Sequence, residues 1–255
     1  MSQRLRFRFA KLGKVRFTSH RDLARMWERA FRRVELPLAY SEGFSPRPKL
    51  AFGLALPTGA ESLAEYLDVD LVASAVVDVA ALPETLSAAL PLGVDVTAAG
   101  VLADGTASLQ QEVTSCEWEL TVPGVTAPEL AARVAHALAA SSLVVTSERK
   151  GHVVEDDLRP AIVSLAALPP VVDGAFRLHA ELASAAGNQA RDAEAAGQSR
   201  RTVRPSELAE AVCPGLEVRR VRRIAQWIER DGTRREPLSL PMAATSAPHA
   251  QVRAS

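Results

Sequence analysis

The feature that most constrains this chain is a change of period within its first 34 residues. Arg4, Arg6 and Arg8 alternate with Leu5, Phe7 and Phe9, the two-residue period of a half-buried strand. Further on, Leu23, Trp27, Ala30, Phe31 and Val34 recur at helical spacing, with Arg21, Arg25, Arg29 and Arg32 on the opposite side. Ser19 stands where an N-cap belongs, Asp22 follows three residues later, and Pro37 is the expected stop. The two periods in succession point to a mixed α+β class.

The remaining pattern extends that order. Residues 41–49 hold Gly43, Pro46 and Pro48, too much Gly and Pro for a helix or a central strand. Strands are predicted over 50–56 and 64–72, a helix over 76–90 and a closing strand over 94–102. Strand, helix, strand, strand, helix, strand is the split βαβ or ferredoxin-like unit. After a polar linker at 103–114 the order recurs, with a strand at 117–122, a helix from Pro128 to about 140 and a strand at 143–147. Strands near 158–168 and 175–182 and a helix from Pro205 to Val212 follow. The last element, 217–229, reads two ways. Val218, Val221, Ile224 and Ile228 are spaced as in a helix, whereas the Val, Ile and Trp content and the Asp231-Gly232 turn fit a strand. The expected architecture is α+β, two tandem ferredoxin-like halves over 1–102 and 115–232, with a mobile loop at 184–202 and a disordered tail at 233–255.

Charge is segregated along the chain. Its 30 basic and 30 acidic side chains cancel overall, yet residues 1–50 carry 13 Lys and Arg against 4 Asp and Glu, and residues 51–140 carry 1 against 12. Such asymmetry points to a polyanion-facing segment and a separate acidic surface. The competing reading is a solvated face, inflated by a base composition that makes only 4 of the 30 cations lysine. No apolar run approaches the ~20 residues of a membrane span, and no signal-peptide apolar stretch follows Met1, so a cytoplasmic protein with no membrane contact is expected. Cys116 and Cys213 are too few for a disulfide framework and read as two buried thiols.

Several chemistries lack their residues. His20, His136, His152, His179 and His249 have no histidine four residues away, neither cysteine sits in a CxxC pair, and no CxxxCxxC occurs, so no metal is expected. GxxxxGK[ST], GxGxxG and GxSxG are also missing, which leaves no cofactor indicated. The positive signal is basic. Arg4, Arg6 and Arg8 are expected on the outer face of the sheet. Lys11, Lys14 and Arg16 surround the Gly13 turn, Arg21, Arg25 and Arg29 lie on the helix, and Phe44, Arg47 and Lys49 sit on the stiff Pro-rich loop. Guanidinium groups grip phosphate bidentately and an exposed Phe can stack on a base, so these residues form a candidate RNA-binding surface. The rival for the arginine helix is a solubilising or protein-docking face, and for Phe44 a loop packed onto the core. A rival from another class makes His20 the base of an RNA-cleaving or RNA-modifying enzyme, in a cleft with Ser19, Glu42 and Ser45. The bland alternative for His20 is a buried, hydrogen-bonded structural histidine. The oligomeric state is not indicated.

Two segments carry a family resemblance. Lys11, Gly13, Arg16, Phe17, Ser19, His20, Asp22 and Leu23 follow a KxGxxRFxSHxDL pattern, and Tyr40, Ser41, Gly43, Phe44, Pro46 and Pro48 a YSxGFxPxP pattern. Gly59, Ser62, Glu65 and Tyr66 fit a GxxSxxEYLDxxL continuation. In these the chain resembles the radical-SAM-linked family of bacterial proteins, found standalone or as a C-terminal extension of radical SAM proteins. The resemblance is strong over 3–72 and weak to about 230. It implies association with a radical SAM protein as partner, without an established reaction. The chain departs from it in having no radical SAM domain, so that catalytic partner would act in trans. Three functions therefore stand as expectations: a radical-SAM-associated accessory protein that binds RNA, an enzyme using His20, and a substrate-presenting partner without nucleic acid.

Overall fold

A computed structural model of the chain describes residues 3–149, 151–170, 174–187 and 202–238. The elements are β1 (Arg4–Lys11), a 3-10 turn (Gly13–Phe17), α1 (His20–Arg33), β2 (Leu50–Phe52), β3 (Glu61–Asp70), α2 (Leu82–Ala89) and β4 (Val94–Val101). There follow α3 (Leu109–Glu112), β5 (Ser115–Val122), α4 (Ala127–Ala139), β6 (Val144–Arg149), β7 (His152–Asp157), β8 (Ile162–Leu168), β9 (Phe176–Ala183), α5 (Pro205–Val212), β10 (Arg220–Arg230) and β11 (Thr233–Arg235).

The class is mixed α+β. One large sheet runs β4-β1-β3-β10-β5-β9-β8, with β2 added to β3 and β11 to β10, while β6 and β7 form a separate hairpin. Each half repeats one order. The first gives β4-β1-β3-β2 and the second β10-β5-β9-β8, all antiparallel within a half. The halves join where β10 runs parallel to the start of β3, Arg222 beside Glu61 and Arg223 beside Ser62. Two cores flank this seam. Leu5, Phe7, Phe9, Leu67 and Val69 pack with Leu23, Trp27 and Phe31 of α1 and Leu86 of α2. The second core gathers Trp118, Leu120, Leu178 and Leu182 with Leu130 of α4 and Leu208 of α5.

The start of α1 follows the sequence. The Ser19 hydroxyl accepts from the Asp22 N–H at 3.1 Å and donates to the Asp22 carboxylate at 2.8 Å. The helix stops before Pro37, however. Glu35 takes a left-handed φ of 54°, and the Leu36 N–H reaches the Phe31 carbonyl at 3.0 Å, a Schellman closure built without glycine.

Several expectations are corrected. The span 103–114 is not simply a polar linker, because Leu109 and Val113 are buried in the second core and Glu112 is buried as well. The expected tail begins later than 233, since β11 pairs with β10 and Pro237 is buried. Ser184, expected in a mobile loop, is buried with its hydroxyl on the Val113 carbonyl. The rest of that loop, 188–201, and the tail from 239 lie outside the described residues. Residues 217–229 resolve as the strand β10, and β7 was not anticipated.

The largest correction concerns β1. Arg6 and Arg8 are not exposed on an open sheet face but buried, at 1% and 7% exposure. Alternation placed them on the side away from Phe7 and Phe9. That side is covered by α3 and residues 236–238, segments far away in sequence. Arg6 grips Asp68 bidentately at 2.7 and 2.8 Å and reaches the Pro237 carbonyl at 3.3 Å, with Glu112 at 3.8 Å. Arg8 meets Thr97 at 3.2 Å and Glu236 at 3.3 Å. A desolvated guanidinium is tolerable only with such partners. Arg4 is half-buried and bonds the Thr106 carbonyl.

Candidate nucleic-acid interface

Helix α1 and the Pro-rich loop after it form the two walls of one cleft. The loop stands on a ladder: Lys49 N–H to the Ala39 carbonyl at 3.0 Å, a bridge between Tyr40 and Pro48, and Ser41 N–H to the Arg47 carbonyl at 2.8 Å. The Arg47 N–H also donates to the Ser41 hydroxyl at 3.0 Å. Residues 42–46 are thus held out as a tip, where Gly43 takes a positive φ of 119° and Phe44 is fully exposed. The reading of Phe44 as packed onto the core is overturned.

Between the walls lies a cleft of about 420 Å³, lined by Arg21, Ala24, Arg25, Glu28 and Arg32 from the helix and Tyr40, Pro46, Arg47 and Pro48 from the loop. Residues 21, 25, 28 and 32 fall on one stripe because steps of three and four residues return to the same side of a helix. Four arginines and one glutamate therefore line the cleft. Among the described residues no carboxylate lies at ion-pair distance from the Arg21, Arg32 or Arg47 guanidinium. Arg25 touches Asp22 at 3.5 Å in an exposed pair that contributes little.

The other candidates fall elsewhere. Lys11 is buried, its ammonium on the Arg16 and Thr18 carbonyls at 3.4 and 3.2 Å, and burial lowers its pKa against the raising charge of Glu65. It is therefore not a surface cation. Lys14 is exposed on the 3-10 turn, and Arg29 is exposed but outside the cleft wall. Lys49 is exposed and lines a smaller hollow of about 210 Å³ with Arg4, Asp68 and Asp70. Arg16 lies 4.7 Å above the exposed Phe17 ring and 3.4 Å from Glu61. Glu61 also receives Arg222 at 2.7 Å and the Gly13 N–H at 3.1 Å, with Arg220 at 3.7 Å. Burial raises the Glu61 carboxyl, but the Arg222 and Gly13 hydrogen bonds and the Arg222 and Arg220 charges outweigh it and hold its pKa below the ordinary value.

His20 is not the buried structural histidine of the bland reading. It is exposed, its ring edge-on to Phe52 with centroids 4.8 Å apart. None of Ser19, His20, Glu42 and Ser45 stands in the cleft wall, so the anticipated catalytic grouping is not assembled there. Tyr40, Arg32 and Glu28 are among the lining residues sequence reasoning left out. Arg32 lay on the helical stripe, and Tyr40 was visible only as part of the YSxGFxPxP pattern.

A second cavity of about 550 Å³ opens near the seam, lined by Leu54, Leu56, Trp118, Leu182, Val203 and the thiol of Cys116, among others. Burial pushes the Cys116 thiol up to about 11, which keeps it neutral and a poor nucleophile. Arg223 closes this region 4.7 Å above the Trp118 ring and 2.8 Å from Glu65. Among the described residues no group of three or more His, Cys, Asp and Glu could hold a metal. None of the helices described is long and apolar enough to cross a membrane.

Fold and surface together define an α+β protein with an arginine-walled cleft on its first half. The chain belongs to the family of uncharacterised proteins conserved in bacteria, DUF2344, which it matches over residues 4–205. No curated protein matches it in sequence.

Proposed function

We propose that this chain binds single-stranded RNA, with the cleft between α1 and the Pro-rich loop as its contact surface. The observation that carries the reading is the convergence of Arg21, Arg25, Arg32 and Arg47 from two elements on one cleft beside the fully exposed Phe44. Guanidiniums supply bidentate phosphate contacts and Phe44 an aromatic face on which any base can stack. Phe44 is held out on a tied loop, and loops on rigid scaffolds commonly carry binding residues. The shared strand order of the halves supports reading them as two ferredoxin-like units in tandem, the first of which presents the cleft on its helical side rather than on its sheet.

The test is fluorescence anisotropy of a labelled short oligoribonucleotide across a salt series. Neutralising three to four phosphate charges gives a log–log slope of roughly −2 to −3, at about −0.7 per charge, and Arg21→Ala, Arg25→Ala and Arg47→Ala together flatten it to about −1. An unchanged slope in the triple variant removes the proposal. A second reading has its own support. The patterns that resemble the radical-SAM-linked family supply Tyr40, Pro46 and Pro48 of the same cleft, and Arg21 and Arg47 lie between pattern positions, so a radical SAM protein offering an acidic segment is the alternative occupant. Co-purification of such a protein, lost in the triple variant while RNA affinity stays absent, favours that reading.

A further inference from the structure

Resting on the RNA reading, we propose that the cleft is built for the terminal phosphomonoester of a single-stranded RNA, not for an internal stretch of its backbone. Size and charge both point there. A cleft of about 420 Å³ lies near the lower end of the ~300–1,000 Å³ range of small-molecule pockets, room for a nucleotide-sized group. Four arginines and one acidic residue, Glu28, line that space.

An internal diester with one neighbouring diester brings two negative charges, one short of the four arginines less Glu28. A phosphomonoester carries about −1.5 to −2 at neutral pH. With the neighbouring diester it brings roughly −3, which balances four arginines less Glu28. Like charges four apart on a helix repel, so Arg21 and Arg25 gain from an anion that settles between them. The walls also approach one phosphate from two directions. Arg21, Arg25 and Arg32 come from a rigid helix, and Arg47 from a loop whose base is tied at Ser41 and flanked by Pro46 and Pro48. A terminal phosphate has three non-bridging oxygens to offer such a clamp, where an internal diester has two. Phe44 at the loop tip then serves as the stacking face for a base adjoining the bound end, independent of its identity.

The experiment uses the full chain and one oligoribonucleotide sequence in three forms: 5′-monophosphate, 3′-phosphate and hydroxyl at both ends. One phosphorylated form is expected to bind about tenfold or more tightly than the hydroxyl form, the gain of an added charge-assisted hydrogen bond, and the arms identify which end is held. Arg32→Ala and Arg47→Ala, both exposed, should each shrink that preference without changing the melting temperature. Equal affinity for all three forms, with binding still dependent on Arg21, Arg25 and Arg47, overturns end recognition and leaves the RNA reading standing. Binding to none of the three overturns both.

Discussion

Two sets of arginines within the first 50 residues meet opposite fates. Arg6 and Arg8 on β1 are buried beneath α3 and residues 236–238 and matched by Asp68, Glu112 and Glu236. Arg21, Arg32 and Arg47 are exposed and unmatched among the described residues. The same residue type thus serves as internal cement in one place and as a waiting anion site a few residues on. A basic charge count cannot separate the two roles. What separates them is whether carboxylates from elsewhere in the chain fold back over the guanidinium.

That contrast can be broken most sharply from the buried side. Asp68→Ala should destabilise the protein by about 3 kcal/mol, because the buried Arg6 loses its bidentate partner and keeps only Glu112 at 3.8 Å and the Pro237 carbonyl, as read by denaturant unfolding. A neutral result would mean that the β1 arginines are not held as described. Next in size comes the Glu61 hub at the seam. Glu61→Gln should cost about 2 kcal/mol at neutral pH by loosening Arg16 and Arg222. Since the folded state holds this carboxyl below its ordinary pKa, its stabilisation is complete above the ordinary carboxylate range and is lost as pH falls through the lower folded value. The gap between wild type and variant should therefore narrow in acid, and a gap that widens there contradicts the assignment.

On the exposed side stability and binding should part company. Phe44→Ala is expected to weaken RNA by about 1–3 kcal/mol, one stacked base, with the unfolding midpoint unmoved. A lowered midpoint would show that the loop tip packs after all. Smallest of all should be the stability change in the Arg21, Arg25 and Arg47 triple alanine variant, within about 0.5 kcal/mol per site.

Much of the fold's skeleton was legible because local pattern and final environment agree. Leu23, Trp27, Ala30 and Phe31 announced the buried face of α1, and Ser19 its cap. Helix α5 was bounded correctly by Pro205 and Val212. Elements failed to read where tertiary contacts override period. In β10 the pairing with β5 slips between Arg223 and Ala225, and the buried set changes phase from Arg223 and Ala225 to Gln226 and Ile228, so no single two-residue alternation runs through the strand and its apolar spacing also fits a helix. The covering of Arg6 and Arg8 depended on residues more than 100 and 220 positions away, beyond any local pattern. Of the site, the helix stripe and the Phe44 loop were readable separately. Their meeting across one cleft was not, because it depends on how residues 39–49 fold back toward α1.

The most direct test of this division of labour compares the RNA salt dependence of the wild type with that of the triple alanine variant at Arg21, Arg25 and Arg47, on protein verified as equally stable. A log–log slope that goes from roughly −2 to −3 in the wild type to about −1 in the variant is the expected result. Identical slopes, or no RNA binding by the wild type, would contradict the cleft as an RNA site.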